Sequence, residues 1–220
     1  MSHNQTLKTV LESGKFAITA EIPSPVSAAS KDMEEKIKLL KGSVHAINVT
    51  DNPGATAHMS SLAGSSIVRK KGIDPIFQVT CRDRNRLAIQ SDLMGASALG
   101  INNVLTLAGD PVKNGDQKDA KAVFDINSKT ILSIMRGMNN GKIMSGKELQ
   151  SKSNFFPGGA AIIHEPEDNW DPKALSEKAA LETLEEALPF REWIEGVGLD
   201  SSENGFPPEN FERAFASATE

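Results

Sequence analysis

Along this chain two spacings of apolar residues take turns. Short runs rich in β-branched and aromatic residues alternate with stretches in which apolar residues recur at helical intervals. Residues 16–22 (FAITAEI) read as a strand stopped by Pro23 and Pro25. Met33, Ile37 and Leu40 then repeat at helical spacing, with Ser30 placed as an N-cap and Gly42 as the closing glycine. Residues 44–49 (VHAINV) give a second strand, followed by a polar glycine loop (TDNPGATA) and a helix with Met59, Leu62, Ala63 and Ile67 on one face. A third strand spans 76–80, followed by the charged loop CRDRNR and a helix carrying Ile89, Leu93 and Ala96 that Gly100 closes. Residues 103–107 (NVLTL) form the fourth strand. A long polar loop, 108–125, precedes a helix with Ile131, Met135 and Met138, and a loop of that length is usually functional. Residues 155–163 (FFPGGAAII) supply a fifth strand and 172–188 a further helix; beyond Pro189 no clear strand follows.

Strict alternation of strands and helices predicts a parallel sheet, either an open doubly wound sheet or a (β/α)₈ barrel, and five strands favour neither. With 220 residues and 39% apolar content, one core and one domain over 1–220 are expected. A formal charge of −5, with no basic run longer than Arg69-Lys70-Lys71, argues against a nucleic-acid partner. No segment approaches the roughly 18 apolar residues of a membrane span, and residues 1–15 lack the apolar stretch of a signal peptide, so a cytoplasmic location is expected. Cys81 is the single cysteine, and His3, His45, His58 and His164 show no paired metal-ligand spacing, so no metal site is expected.

Parallel α/β folds bind ligands at the C-terminal ends of their strands. Those ends are polar here: Glu21, then Thr50-Asp51-Asn52, then Gln78 to Arg82, then Gly109-Asp110. Glu21 sits between Ala20 and Ile22, where a buried carboxyl needs a partner or a proton and so becomes a candidate general acid. Position alone favours the plainer reading, a strand-end glutamate facing solvent or a neighbouring loop. Asp110 lies in Ala-Gly-Asp-Pro, where Gly109 permits close backbone approach and Pro111 fixes the turn; a plain turn aspartate fits equally well. The loop 50–57 would suit an anion at a helix N-terminus, but it matches neither the Walker nor the GxGxxG pattern. The arginines of CRDRNR could grip phosphates, although internal salt bridges at a helix start are the commoner use of such a run. Cys81 reads as a small core residue, and His58 and His164 as capping or surface groups.

Taken in order, these rim segments resemble the methylenetetrahydrofolate reductase family, above all its bacterial and archaeal branch. The resemblance runs through AEIPSP (20–25), NVTDNPGA (48–55), QVTCRDRNR (78–86), SDLMGASALGINNVLTLAGDPVKNGD (91–116), VFDINS (123–128) and NFFPGGAA (154–161). It implies a (β/α)₈ barrel, of which about five strands are recognisable, with FAD at the C-terminal ends of the strands and NADH or NADPH, or a partner's redox centre, as electron source. Glu21 falls on the family's catalytic glutamate, which protonates 5,10-methylenetetrahydrofolate and opens its imidazolidine ring; reduced FAD then gives a hydride, leaving 5-methyltetrahydrofolate. Asp110 falls on the aspartate beside flavin and folate. The resemblance places Thr50 near the flavin and nicotinamide, and Ala108, Gly109, Val123, Phe124, Asp125 and Ser128 around FAD. Gln78 stands where many members carry histidine, so its flavin contact would be chemically altered.

The chain departs from the family pattern after Ala161, where Ile162-Ile163-His164-Glu165-Pro166 replaces an asparagine- or tyrosine-proline element. Past Lys178 the strand that grips folate and two further barrel strands are not recognisable, and 189–220 is atypical. A barrel wall would then be missing. A longer natural chain, a second copy or partner reductase subunit, or a shortened homologue would each explain this. The alternative function is a non-catalytic, accessory subunit that binds folate or a partner; an unrelated barrel enzyme using the 108–116 loop for phosphate is a third reading.

Overall fold

The computed structural model describes residues 6–160. A short helix α1 (Leu7–Glu12) leads into five strands joined by four helical connections: β1 (Thr19–Ile22), α2 (Ser30–Leu40), β2 (Ala46–Val49), α3 (Ser61–Lys70), β3 (Asp74–Thr80), α4 (Arg86–Ala98), β4 (Asn103–Leu107), α5 (Ser128–Asn139) and β5 (Phe156–Gly159). All four strand pairings are parallel and the order is β1-β2-β3-β4-β5. A doubly wound sheet needs a point where the strand order reverses. None occurs here, so the described sheet is a run of consecutive staves of a (β/α) barrel wall, unclosed among the described residues.

Alternation along the strands assigns the two faces. Ile22, Ile47 and Val49 point to the helix side with Met33 and Ile37 of α2 and Val68 of α3. Phe77, Val79 and Val104 do the same against Ile89 and Leu93 of α4 and Ile131, Met135 and Met138 of α5. Helices α4 and α5 begin where a cap is available: Asn85 accepts from the backbone N–H groups of Leu87 and Ala88, and Asn127 from that of Thr130. The opposite face carries Glu21, Asn48, Gln78 and Leu105, brought side by side by the register Glu21↔Asn48 and Gln78↔Leu105.

Several expectations need correcting. The first strand starts at Thr19 because Phe16, 88% exposed, finds nothing to pack against. Ser30 is the first residue of α2 and Ala29 occupies its N-cap, without a side-chain cap bond. Met59 precedes α3, whose buried face is Ser61, Gly64, Ser65 and Val68, with Ala63 exposed. Small residues serve there because α3 lies hard against β2: a Cβ on Gly64 would stand 2.8 Å from Val49 Cγ1. Helix α1, held by a hydrogen bond from the Leu7 N–H to Asp74 Oδ2 (2.8 Å), went unrecognised because only Leu7 and Val10 are buried in it. The fifth strand is described only to Gly159. The expected helix over 172–188, the 162–166 element and the atypical segment 189–220 lie outside the described residues. Among the described residues no helix is long and apolar enough to cross a membrane.

Candidate functional site

At the C-terminal ends of β1 to β3, three side chains from three strands meet. Gln78 Nε2 donates to Glu21 Oε2 at 3.1 Å, and Asn48 Nδ2 donates to the same oxygen at 3.4 Å. Glu21 itself is exposed. The costly buried carboxyl considered from the apolar neighbours Ala20 and Ile22 is therefore not what forms. Those neighbours point to the other face, and Glu21 sits at an accessible mouth with amide partners.

Thr50 follows β2 but turns inward. It is 5% exposed, its Oγ1 accepts from the Ser24 N–H (3.0 Å) and its carbonyl accepts from Ser24 Oγ (2.8 Å). The hydroxyl is thus engaged in fastening the turn after β1. The next residue, Asp51, is 4% exposed and accepts from the Thr80 N–H (2.8 Å), from Thr80 Oγ1 (2.9 Å), from Ser61 Oγ (3.2 Å) and from the Arg84 guanidinium. One buried carboxylate thus ties β2, α3 and β3 together, a role that sequence inspection missed.

The arginine-rich run turns out to be spent internally. Arg82, 2% exposed, forks onto Asp83 (2.7 Å at both nitrogens) and donates to the carbonyls of Asp110 and Asn52 at 3.1 Å. Burial alone would raise the Asp83 carboxyl, but the Arg82 hydrogen bond, the Asn52 amide and the charges of Arg82 and Arg84 outweigh it and hold it below the usual range. Arg84 pairs with Asp51 and lies 3.6 Å from Asp92. Burial, with the Asp51 charge adding to it against Arg84, pushes the Asp92 carboxyl up. Arg86 makes a bidentate pair with Asp125 at 2.7 Å for both bonds, while its backbone N–H donates to Asp125 Oδ2 (2.9 Å). These bonds from Arg86 lower the Asp125 carboxyl to about 2.

Asp110 is exposed, and its Oδ2 accepts from the Gly54 N–H at 3.0 Å, joining the loop after β4 to the loop after β2. Gly109 makes that approach possible. Its φ of +94° and the 3.1 Å and 3.2 Å that would separate a Cβ from Arg82 and Thr80 both require glycine. The loop after β2 turns through left-handed Asn52, Gly54 and Ala55, with Gly54 already bonded to Asp110, so it does not present a free anion cradle ahead of α3.

A second cluster forms beside this rim. A cleft of about 430 Å³ is lined by Ala108, Phe124, Asp125 and Ser128, together with Cys81, Arg86 and Asn127. Four of the residues singled out from sequence thus share one wall. Val123 is adjacent, its N–H donating to the Arg82 carbonyl (2.7 Å). Phe124 has a left-handed backbone (φ +40°) and is 49% exposed. Cys81 is buried, and burial raises its thiol despite the Arg84 charge. Asn127 was missed, although an asparagine directly before Ser128 is the usual sign of a helix cap. Glu21, Gln78 and the cleft residues are brought to the same end of the sheet; Thr50 lies at that end too, but its side chain is turned into the fold.

A family model described as methylenetetrahydrofolate reductase matches residues 6–180. Curated proteins match over shorter stretches. The adenine deaminase of Ectopseudomonas mendocina (strain ymp) is 64% identical over 44 residues, covering 20% of this chain and 14% of that protein. That of Cupriavidus metallidurans is 65% identical over 46 residues, covering 21% and 13%. That of Hahella chejuensis is 61% identical over 44 residues, covering 20% and 13%. The chain spans only 13% to 14% of the length of these curated relatives.

Proposed function

The chain belongs to the methylenetetrahydrofolate reductase family, and on that premise we propose that it reduces 5,10-methylenetetrahydrofolate to 5-methyltetrahydrofolate with FAD as cofactor and Glu21 as general acid. The observation that carries this reading is Glu21 itself: an accessible carboxyl at the C-terminal mouth of a parallel barrel wall, gripped by the amides of Asn48 and Gln78. A general acid must reach its substrate atom and be held in one place while it does so. Both conditions are met.

The residues present fit a flavin dinucleotide. The cleft joins an exposed aromatic ring, Phe124, with the hydroxyls of Ser128 and Thr130 at the N-terminus of α5, where backbone N–H groups and the helix dipole favour phosphate. Bound there, FAD would supply the hydride for the methylene carbon. Everything else falls to the chain. Glu21 gives its proton to a folate ring nitrogen, so that the ring opens to an electrophilic iminium and the departing nitrogen leaves neutral. Asp110, fixed through Gly54, keeps a negative charge at the rim where the cationic iminium develops, and helps hold the pterin. The Arg86–Asp125 fork braces the cleft wall. Thr50 acts at one remove, by fixing the turn that follows Glu21.

NADH or NADPH is the electron source that goes with this reading, and a second copy or a reductase partner would complete the folate pocket. We place the protein in the cytoplasm, a reducing compartment that suits a chain whose single cysteine is a buried free thiol. The likeness to adenine deaminases covers about a fifth of the chain and does not bring their activity to it.

The test is direct. The purified full chain should carry or take up FAD with a yellow absorption band, and its reduced flavin should be reoxidised by methylenetetrahydrofolate. A chain that binds FAD and folate but leaves the reduced flavin unoxidised would be an accessory subunit; one that cannot be loaded with FAD would sink the proposal.

A further inference from the structure

Asn48 has no role so far beyond touching Glu21, yet its placement is peculiar. It stands in register directly beside Glu21 on the neighbouring strand. Its Nδ2 donates to Glu21 Oε2, the oxygen that already receives Gln78 Nε2. Its other end is wasted: Asn48 Oδ1 is a buried acceptor with no hydrogen-bond partner. Burying an unpaired acceptor costs free energy. An asparagine kept only to satisfy its surroundings would pair both ends; this one gives up a bond to aim its N–H₂ group at the carboxylate.

Resting on the proposed role of Glu21 as acid, we infer that Asn48 is a positioning residue that, together with Gln78, holds Glu21 through Oε2 and steadies the carboxylate that forms when the proton leaves. A carboxylate oxygen offers two lone-pair directions in the carboxyl plane. Asn48 and Gln78 reach Oε2 from two different strands. The acid form of Glu21 carries one proton. When it passes to the folate nitrogen, the O–H bond breaks, its electron pair stays on the carboxylate, and the two amides are already oriented to hold the charge that appears. Hydrogen bonds to the charged form favour it, so the two amides assist the departure of the proton. Gln78 then serves the acid through Oε2, in addition to any contact it makes with the flavin.

Two substitutions in the full chain test this. Asn48→Asp keeps the shape but removes the donor and sets a second carboxyl beside Oε2; Asn48→Leu keeps the volume and removes both polar ends. The Glu21 carboxyl, followed by NMR through its labelled side-chain carbon, should titrate about one pH unit or more higher in Asn48→Leu than in the native chain, and higher still in Asn48→Asp, where the added charge works in the same direction. In FAD-loaded protein, reoxidation of the reduced flavin by methylenetetrahydrofolate should slow about tenfold in both variants, while flavin content and reduction of the flavin by dithionite stay native. A purely packing role for Asn48 would leave the Glu21 titration where it is in Asn48→Leu, and that result overturns the inference. Glu21→Gln serves as the control. If it leaves the folate step at the native rate, the proposed function fails. If it slows that step while both Asn48 variants keep the native rate and titration, the proposed function stands and only the role of Asn48 falls.

Discussion

Asp51 Oδ2 accepts both the backbone N–H and the hydroxyl of Thr80, at 2.8 Å and 2.9 Å, so that a single buried carboxylate fastens the end of β2 to the end of β3. The same oxygen faces the Arg84 guanidinium. Removing it in Asp51→Ala takes the Asp51 partner from the Thr80 donors and leaves the largely buried Arg84 with only the longer contact to Asp92. The expected loss is about 3 kcal/mol of unfolding free energy, the range for breaking a buried pair. Urea denaturation measures it, and a loss below about 1 kcal/mol would show that water replaces the carboxylate at little cost.

Arg86 and Asp125 should govern part of the acid limb of stability. The Asp125 carboxyl is lowered to about 2 by its bonds from Arg86, against an unfolded value of about 3.9. A depressed carboxyl stabilises the fold at pH values above its unfolded pKa, and that stabilisation disappears as pH falls through the folded value. The stability gap between native protein and Asp125→Asn should therefore be constant above about pH 4 and close between about pH 4 and pH 2. Unfolding curves across that window would show it; a gap that stays open at pH 2 would mean that the fork contributes through packing alone.

Gly109→Ala should be costly out of proportion to one methyl group. Its φ of +94° is strained for alanine, and the new Cβ would stand 3.1 Å from Arg82 Cβ. A destabilisation of about 1–3 kcal/mol is expected. Because Gly109 precedes Asp110, the loop shift should also weaken flavin or folate binding, which titration of the purified variant would report.

Phe124→Ala tests the cleft. If the exposed ring packs on the flavin, its loss should weaken FAD binding about tenfold, equivalent to about 1.4 kcal/mol. Unchanged FAD affinity would move the cofactor away from this wall.

The fold was legible where hydrophobic periodicity and capping agreed. Helix α4 shows the predicted buried positions Ile89, Leu93 and Ala96, with Gly100 just beyond its end, and β4 has the predicted bounds. Helix α3 was misread because much of its buried face is Ser61, Gly64 and Ser65, whose side chains carry little hydropathy; at Gly64, set against Val49 of β2, what packs is smallness. Choosing a barrel wall over a doubly wound sheet needed the strand order, a long-range property that local pattern does not contain.

Of the site, the strand-end positions could be read in advance, but their partners could not. Asn48 and Gln78 reach Glu21 from strands 27 and 57 residues away in the chain, through a register that spacing alone does not specify. The three arginines of the CRDRNR run look alike in sequence, yet each finds a different carboxylate: Asp83 beside Arg82, Asp51 facing Arg84, and Asp125 across from Arg86. Thr50 looked like a rim hydroxyl because it follows a strand; the Ser24 pairing that turns it inward becomes visible only in three dimensions.

The central claim is that Glu21 supplies the proton for folate reduction, and the most direct test is the rate at which methylenetetrahydrofolate reoxidises the reduced, FAD-loaded protein in Glu21→Gln. The account predicts a fall of about 10²- to 10⁴-fold, the usual contribution of a positioned general acid, with FAD content and flavin reduction by dithionite unchanged. Reoxidation at the native rate in a fully loaded Glu21→Gln protein would contradict it.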